Sequence, residues 1–159
     1  MNSIKQFTGT ILGILSIMYA GFAIPERITV TVSNSVQHRI FYKQTVFEKE
    51  DIKKGSYVMA ELYSDVVSEC RPCLIVKRVA GVSGDLINVR GLEFFCNGKY
   101  LGKAKTHTKK GKLLESYKTS ELIPDNKIFL MGDSPDSFDS RYYGPMEIKH
   151  VKAIARPVF

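Results

Sequence analysis

The sequence predicts a mostly β, antiparallel domain behind a single membrane-spanning helix, with the domain packed from two sheets or closed into a distorted barrel. Three observations predict this. Residues 7–24 (FTGTILGILSIMYAGFAI) carry no charge over 18 positions. Beyond Pro25 the chain breaks into short segments rich in Val, Ile, Phe and Tyr, separated by Gly, Asp, Asn or Pro. None of these segments carries a sustained helical stripe of apolar residues. The chain therefore divides into an anchor over residues 1–25 and one β domain over residues 26–159.

At roughly 1.5 Å per residue, the uncharged run just crosses a thin hydrocarbon layer. Two other readings compete: a buried core helix, and a cleaved signal peptide with Gly21 and Ala23 as its small-residue cleavage site. Cleavable apolar regions usually run to about 7–15 residues, so the greater length favours a retained anchor. Lys5 and the amino terminus precede the run. The positive-inside preference then holds that end in the cytoplasm and places the β domain on the external, periplasmic face of the plasma membrane.

Strands are expected at residues 27–32, 39–46, 56–62, 73–79, 86–89, 92–96, 127–131 and 151–158. Asn97-Gly98, between 92–96 and a further strand beginning at Lys99, is a strong hairpin signal, because the tight turns that match strand twist need positive φ. Residues 103–118 (KAKTHTKKGKLLESYK) read first as a solvated loop and second as a docking patch.

The net charge is +7, from 23 basic and 16 acidic residues. No basic helix or aromatic-interleaved strand accompanies it, so nucleic acid is not an expected partner. Attraction to anionic lipid headgroups accounts for the excess more simply. The three cysteines, Cys70, Cys73 and Cys96, suit an oxidising compartment. Cys70 and Cys73 have CxxC spacing, but no second ligand pair or histidine lies at zinc-site spacing, and no metal or cofactor is expected. A disulfide from Cys70 or Cys73 to Cys96 is the expected use.

Three clusters carry chemistry: Ser33-Asn34-Ser35 after the first strand, Lys77-Arg78 inside an apolar strand, and residues 132–144 (GDSPDSFDSRYYG). Lys77 interrupts Leu74, Ile75, Val76 and Val79, and neighbours on a strand point to opposite faces. Either Lys77 or Arg78 must face the apolar side. Burial would lower an amine's pKa and make it a proton acceptor near neutrality. The plainer alternative is an edge strand with one wet face and a solvated Lys77. Ser33 to Ser35 could likewise be only a turn, and the 132–144 segment only a surface loop of turn formers.

The segment VKRVAGVSGDLI (76–87) resembles the lysine-bearing motif of signal peptidase I, and GDSPDSFDSRYYGP (132–145) resembles that family's late Gly-Asp...Ser-x-Asp-Ser-Arg box. SVQHRIF (35–41) sits where the family places its nucleophile, and the order of motifs is most similar to the TraF-type branch that processes pilin precursors in conjugative transfer. The resemblance implies a signal-peptidase-like β fold and a serine endopeptidase that cuts exported precursors, including pilins, after small residues. It implies Ser35 as nucleophile, Lys77 as general base, and Ser33 as an oxyanion donor beside the Ser35 N–H. It implies Ser137 as the group orienting the lysine, Asp139 and Arg141 as an ion pair beside the site, and Asp133 as a support of the loop. Substrate would lie extended beside the lysine strand, with Thr31, Val32, Val36, Ile75 and Val76 forming shallow pockets. Three positions depart from the family pattern: Gln37 replaces a usual proline, Arg39 a usual TraF-type glycine, and Ser83 another proline. These departures motivate the alternative of a non-catalytic pilus-assembly protein with the same fold. A Ser-His-Asp triad through His38 would leave Lys77 unexplained.

Overall fold

The computed structural model describes residues 12, 13, 16, 26–64, 66 and 72–159. Nearly all of the expected anchor lies outside these residues, and among them no helix is long and apolar enough to cross a membrane.

Eleven strands form two antiparallel sheets among the described residues. They are β1 (Ile28–Val30), β2 (Ile40–Gln44), β3 (Tyr57–Leu62), β4 (Cys73–Gly81), β5 (Leu86–Arg90), β6 (Glu93–Cys96), β7 (Lys99–Lys103), β8 (Glu121–Leu122), β9 (Lys127–Met131), β10 (Met146–Glu147) and β11 (Val151–Pro157). The larger sheet has the order β1-β2-β11-β3-β4-β9-β10, and the smaller has β7-β6-β5-β8. The two-sheet expectation therefore holds, and the sequence pattern misses only β8 and β10, whose two residues apiece are too short to show alternation. The only α-helix in the described β domain beyond β1 is the single turn Ser140–Tyr143.

β9 joins the two layers. Its residues Ile128 to Met131 are all buried, because a strand covered on both faces has no polar side to alternate with. Ile128 and Leu130 pack with Val58, Ala60, Leu62 and Val79, while Phe129 and Met131 pack with Ile87, Phe94 and Cys96. The period of two thus assigns one strand to two cores.

β4 pairs with β3 from Cys73 to Arg78, but with β9 only from Arg78 to Gly81. Residues 73–77 consequently present an open edge on the β9 side among the described residues. Lys77 is the residue that turns inward, 4% exposed, while the Arg78 side chain is 37% exposed.

Two expectations need correction. Cys96 is a free, buried thiol, so no disulfide reaches it. Its sulfur packs beside Gly81 at one end of β4, whereas Cys73 is at the other end, eight residues or roughly 26 Å of extended chain away. That separation is far beyond the span of a disulfide. Cys73 is disulfide-bonded, and Cys70 lies outside the described residues. The 103–118 stretch, in turn, is more than a solvated loop. Thr108 N–H donates to Lys112 O at 2.8 Å, Leu114 N–H to Thr106 O at 2.8 Å, and His107 bridges Leu113, making a small hairpin.

The Asn97-Gly98 turn forms as expected, with φ of 48° and 78° and Cys96 paired to Lys99 across it. Replacing Gly98 by valine places a β-branched side chain in the left-handed region. Chemical denaturation should show a loss of about 1–2 kcal/mol.

Candidate active site

The turn between β1 and β2 carries the two serines. Thr31 N–H donates to Arg39 O at 2.9 Å, closing the base of the loop, and Arg39 Nη2 donates to Asn34 Oδ1 at 2.6 Å within it. Ser35 O accepts from the N–H groups of Asp133 (2.8 Å) and Ser134 (3.2 Å), so the turn is tied across the fold to the segment after β9. The Gln37 N–H completes the tie by donating to Asp133 Oδ2 at 3.0 Å. Proline at position 37 could not make that bond, having no N–H. The Ser33 and Ser35 hydroxyl oxygens lie 2.9 Å apart, within hydrogen-bond distance.

Lys77 projects from β4 into the space beside this turn. Its Nζ donates to Ser137 Oγ at 2.9 Å. Burial lowers its pKa from 10.5 to about 8; the Asp139 carboxylate opposes that shift and the Arg141 guanidinium adds to it. The amine can therefore exchange its proton near neutral pH.

The 132–144 segment holds both pieces. Asp139 and Arg141 are buried, 0% and 2% exposed, and pair in a two-point fork with Nε–Oδ1 and Nη2–Oδ2 both 2.8 Å. The other Arg141 donors reach Lys103 O (2.8 Å) and Ser137 O (3.1 Å), so the guanidinium grips the backbone of the serine that bonds Lys77. Asp139 Oδ2 also accepts the Gly132 N–H at 2.9 Å, and Ser140 Oγ accepts the Leu130 N–H at 2.9 Å. These side chains take up one backbone donor of β9, from Leu130, and one from Gly132 directly after it. Asp133 accepts from Tyr57 Oη (2.8 Å) and Arg78 Nε (2.9 Å) as well as Gln37. Partial burial pushes its carboxyl up, but the bonds from Gln37, Arg78 and Tyr57 outweigh this and hold it below the usual carboxylate range.

Gly132 sits where the three pieces meet. A Cβ there would lie 2.1 Å from Ser137 Oγ, 2.3 Å from Ser137 Cβ and 2.6 Å from Ser35 O. Only a glycine lets the Ser35 turn and the Ser137 side chain approach this closely.

Ser33, Ser35, Lys77 and Ser137 all line one cleft of about 1420 Å³, together with Thr31, Val32, Ile75 and Val76. Residues 2–159 match the family model described as Signal peptidase, peptidase S26. The chain belongs to this family. It is similar to Signal peptidase I of Bacillus amyloliquefaciens, 31% identical over 112 residues, covering 66% of this chain and 56% of that protein. It is also similar to Signal peptidase I V of Bacillus subtilis (strain 168), 27% identical over 92 residues, covering 51% and 55%. The chain spans about half the length of these curated relatives. A crystal structure of a signal peptidase I from Enterococcus faecalis V583 aligns with a TM-score of 0.42 at 20% identity, over 64% of this chain and 94% of that one.

Within this peptidase S26 chain, most residues singled out from the sequence converge on the cleft or the loop behind it. Val36 does not: it is 5% exposed and packs in the core with Phe41, Tyr57 and Val76, because it follows Ser35 on the opposite side of the turn. His38 packs edge-on against Phe41 and Tyr57. Sequence reasoning missed Gly132 as a packing position, and missed Tyr57 and Arg78 as partners of Asp133. Gly132 had a signal, a glycine directly after an apolar strand; Tyr57 had none, since its partner is 76 positions away.

Gly132→Ala should force Ser137 and the Ser35 turn apart and lower the melting temperature, as measured in a thermal melt. Asp139→Asn strips the charge from a buried pair and should destabilise the chain by about 3–5 kcal/mol in denaturant titration. Between pH about 8 and 10.5 the unfolded chain keeps a proton on Lys77 that the folded chain has released, so stability rises with pH across that window. Lys77→Met should abolish this rise.

Proposed function

We propose that this chain is a membrane-anchored serine endopeptidase that cleaves exported precursor proteins after small residues, with Ser35 as nucleophile and Lys77 as general base. Family membership supports the peptidase class, and one observation carries the residue assignment: a buried lysine, with its pKa near 8, shares a cleft with the paired Ser33 and Ser35 hydroxyls. A desolvated amine has little reason to be there except to accept a proton.

In this mechanism the neutral Lys77 amine removes the Ser35 hydroxyl proton as Oγ attacks the scissile carbonyl. Ser137 holds the amine in place through its hydroxyl. The negative oxygen of the tetrahedral intermediate is met by the Ser35 N–H and the Ser33 hydroxyl. Lys77 then delivers the proton to the leaving amine, and water, activated by the same lysine, releases the acyl group. No step calls on a metal or cofactor.

The substrate binds as an added strand on the open edge of residues 73–77. Ile75, Val76, Thr31 and Val32 line the cleft beside that edge and leave shallow room for small side chains. The substrate class we favour is a pilin precursor of the kind handled by TraF-type peptidases, exported to the periplasmic side of the plasma membrane. A single N-terminal anchor keeps the cleft near the lipid surface where such precursors emerge.

Co-expression in membranes with a candidate pilin precursor tests the reading. Ser35→Ala and Lys77→Ala should abolish processing, and Ser33→Ala should lower kcat by about 10²–10³-fold. Processing by Ser35→Ala at the wild-type rate would remove Ser35 from the mechanism. The pH profile of kcat/KM should climb with a midpoint near 8, as Lys77 loses its proton.

A further inference from the structure

The basic hairpin of residues 106–114 plays no part in the chemistry above, yet its side chains reach the same cleft. Lys105, at its root, and Lys109, Lys110 and Lys112 line the cleft with Ser35 and Lys77. Among the described lining residues the one carboxylate is Asp136, which pairs with Lys105 and, at 3.0 Å, with Lys109. Two of the four lysines thus already share that acid. Lys110 is exposed and pairs with no carboxylate among the described residues.

The hairpin is also held in a fixed relation to the catalytic loop. Both of its stems meet at Arg141: Nη1 donates to Lys103 O at 2.8 Å, and Tyr117 N–H donates to Arg141 O at 2.8 Å. The Lys105 N–H donates to Tyr142 Oη at 3.0 Å. The buried ion pair that places Ser137 therefore also places the cationic wall.

We propose that this hairpin is a specificity element that binds an acidic side chain in the substrate segment lying in the cleft. The inference rests on the peptidase reading and narrows its substrate to precursors with Asp or Glu close to the scissile bond. Position favours a peptide over a lipid headgroup, since the lysines line a concave cleft shared with the serine and the amine. A cleft lined by one sign of charge concentrates its field and attracts the opposite charge. The lysines are exposed at their tips, Lys109 by 81%, so the attraction acts on encounter and KM and is screened by salt.

Binding to the full-length Ser35→Ala chain in detergent separates this inference from the peptidase reading. The probes are fluorescent peptides with small residues at −1 and −3 and with either Asp or Asn scanned along both flanks. At one or more positions the Asp peptide should bind about tenfold tighter in low salt. That preference should vanish in Lys109→Gln/Lys110→Gln and reverse toward Lys-bearing peptides in Lys109→Glu/Lys110→Glu, while affinity for the Asn peptide barely changes. Equal binding of Asp and Asn peptides at every position, or no binding of either, would overturn the inference. So would a double variant that keeps the Asp preference unchanged. A wild-type chain that prefers Asp peptides yet cleaves none would instead overturn the peptidase reading and leave the charge preference standing.

Discussion

The buried Asp139–Arg141 pair is the constraint on which the site depends. A guanidinium and a carboxylate removed from water are tolerated only when their remaining hydrogen-bonding groups are met, and here they are met by backbone. Gly132 N–H, Ser137 O and Lys103 O all bond to the pair. Each belongs to a different functional part: the crossing point behind Ser35, the serine beside Lys77, and the root of the basic hairpin. The net stability supplied by such a pair is small, because desolvation offsets most of its attraction. Its value is geometric, since a fork of five donors has one arrangement that satisfies everything.

Lys77 illustrates the opposite use of burial. Among the described residues its ammonium has no carboxylate within ion-pair distance, and a neutral hydroxyl, Ser137 Oγ, is its hydrogen-bond partner. Desolvation therefore outweighs the more distant attraction of Asp139, and the pKa falls. A carboxylate in the place of Ser137 would hold the proton on the amine. A serine orients the nitrogen without charging it.

The departures at Gln37 and Arg39 have structural employment. The Gln37 N–H bonds Asp133, and the Arg39 guanidinium bonds Asn34, so the turn around Ser35 is braced by hydrogen bonds at the two positions that depart from the expected pattern. Asp133 is in turn held by Tyr57 and Arg78, from β3 and β4. The Ser35 loop is thus fastened to the sheet through one carboxylate, and the substitutions are a different means of fastening rather than a loss of it.

The local pattern alone determined all but the two shortest strands and the Asn97-Gly98 hairpin, because each follows from alternation or turn chemistry over a few residues; it left open whether Lys77 or Arg78 turns inward from β4. It also made Lys77 conspicuous, since a charged residue inside an apolar run stands out without any fold, whereas the serines drew attention through the motifs around them. Only the tertiary structure decided what those residues meet. The Gly132 crossing, the Tyr57–Asp133–Arg78 cluster and the gathering of the 103–117 stems on Arg141 join segments far apart in the chain, and no local rule sets such distances. The cysteines show the same limit: spacing admitted a bond to Cys96, and the length of β4 forbids it. Sequence period chooses a face for each residue, but what lies against that face is settled when two sheets, a buried ion pair and a glycine close enough to touch are packed together.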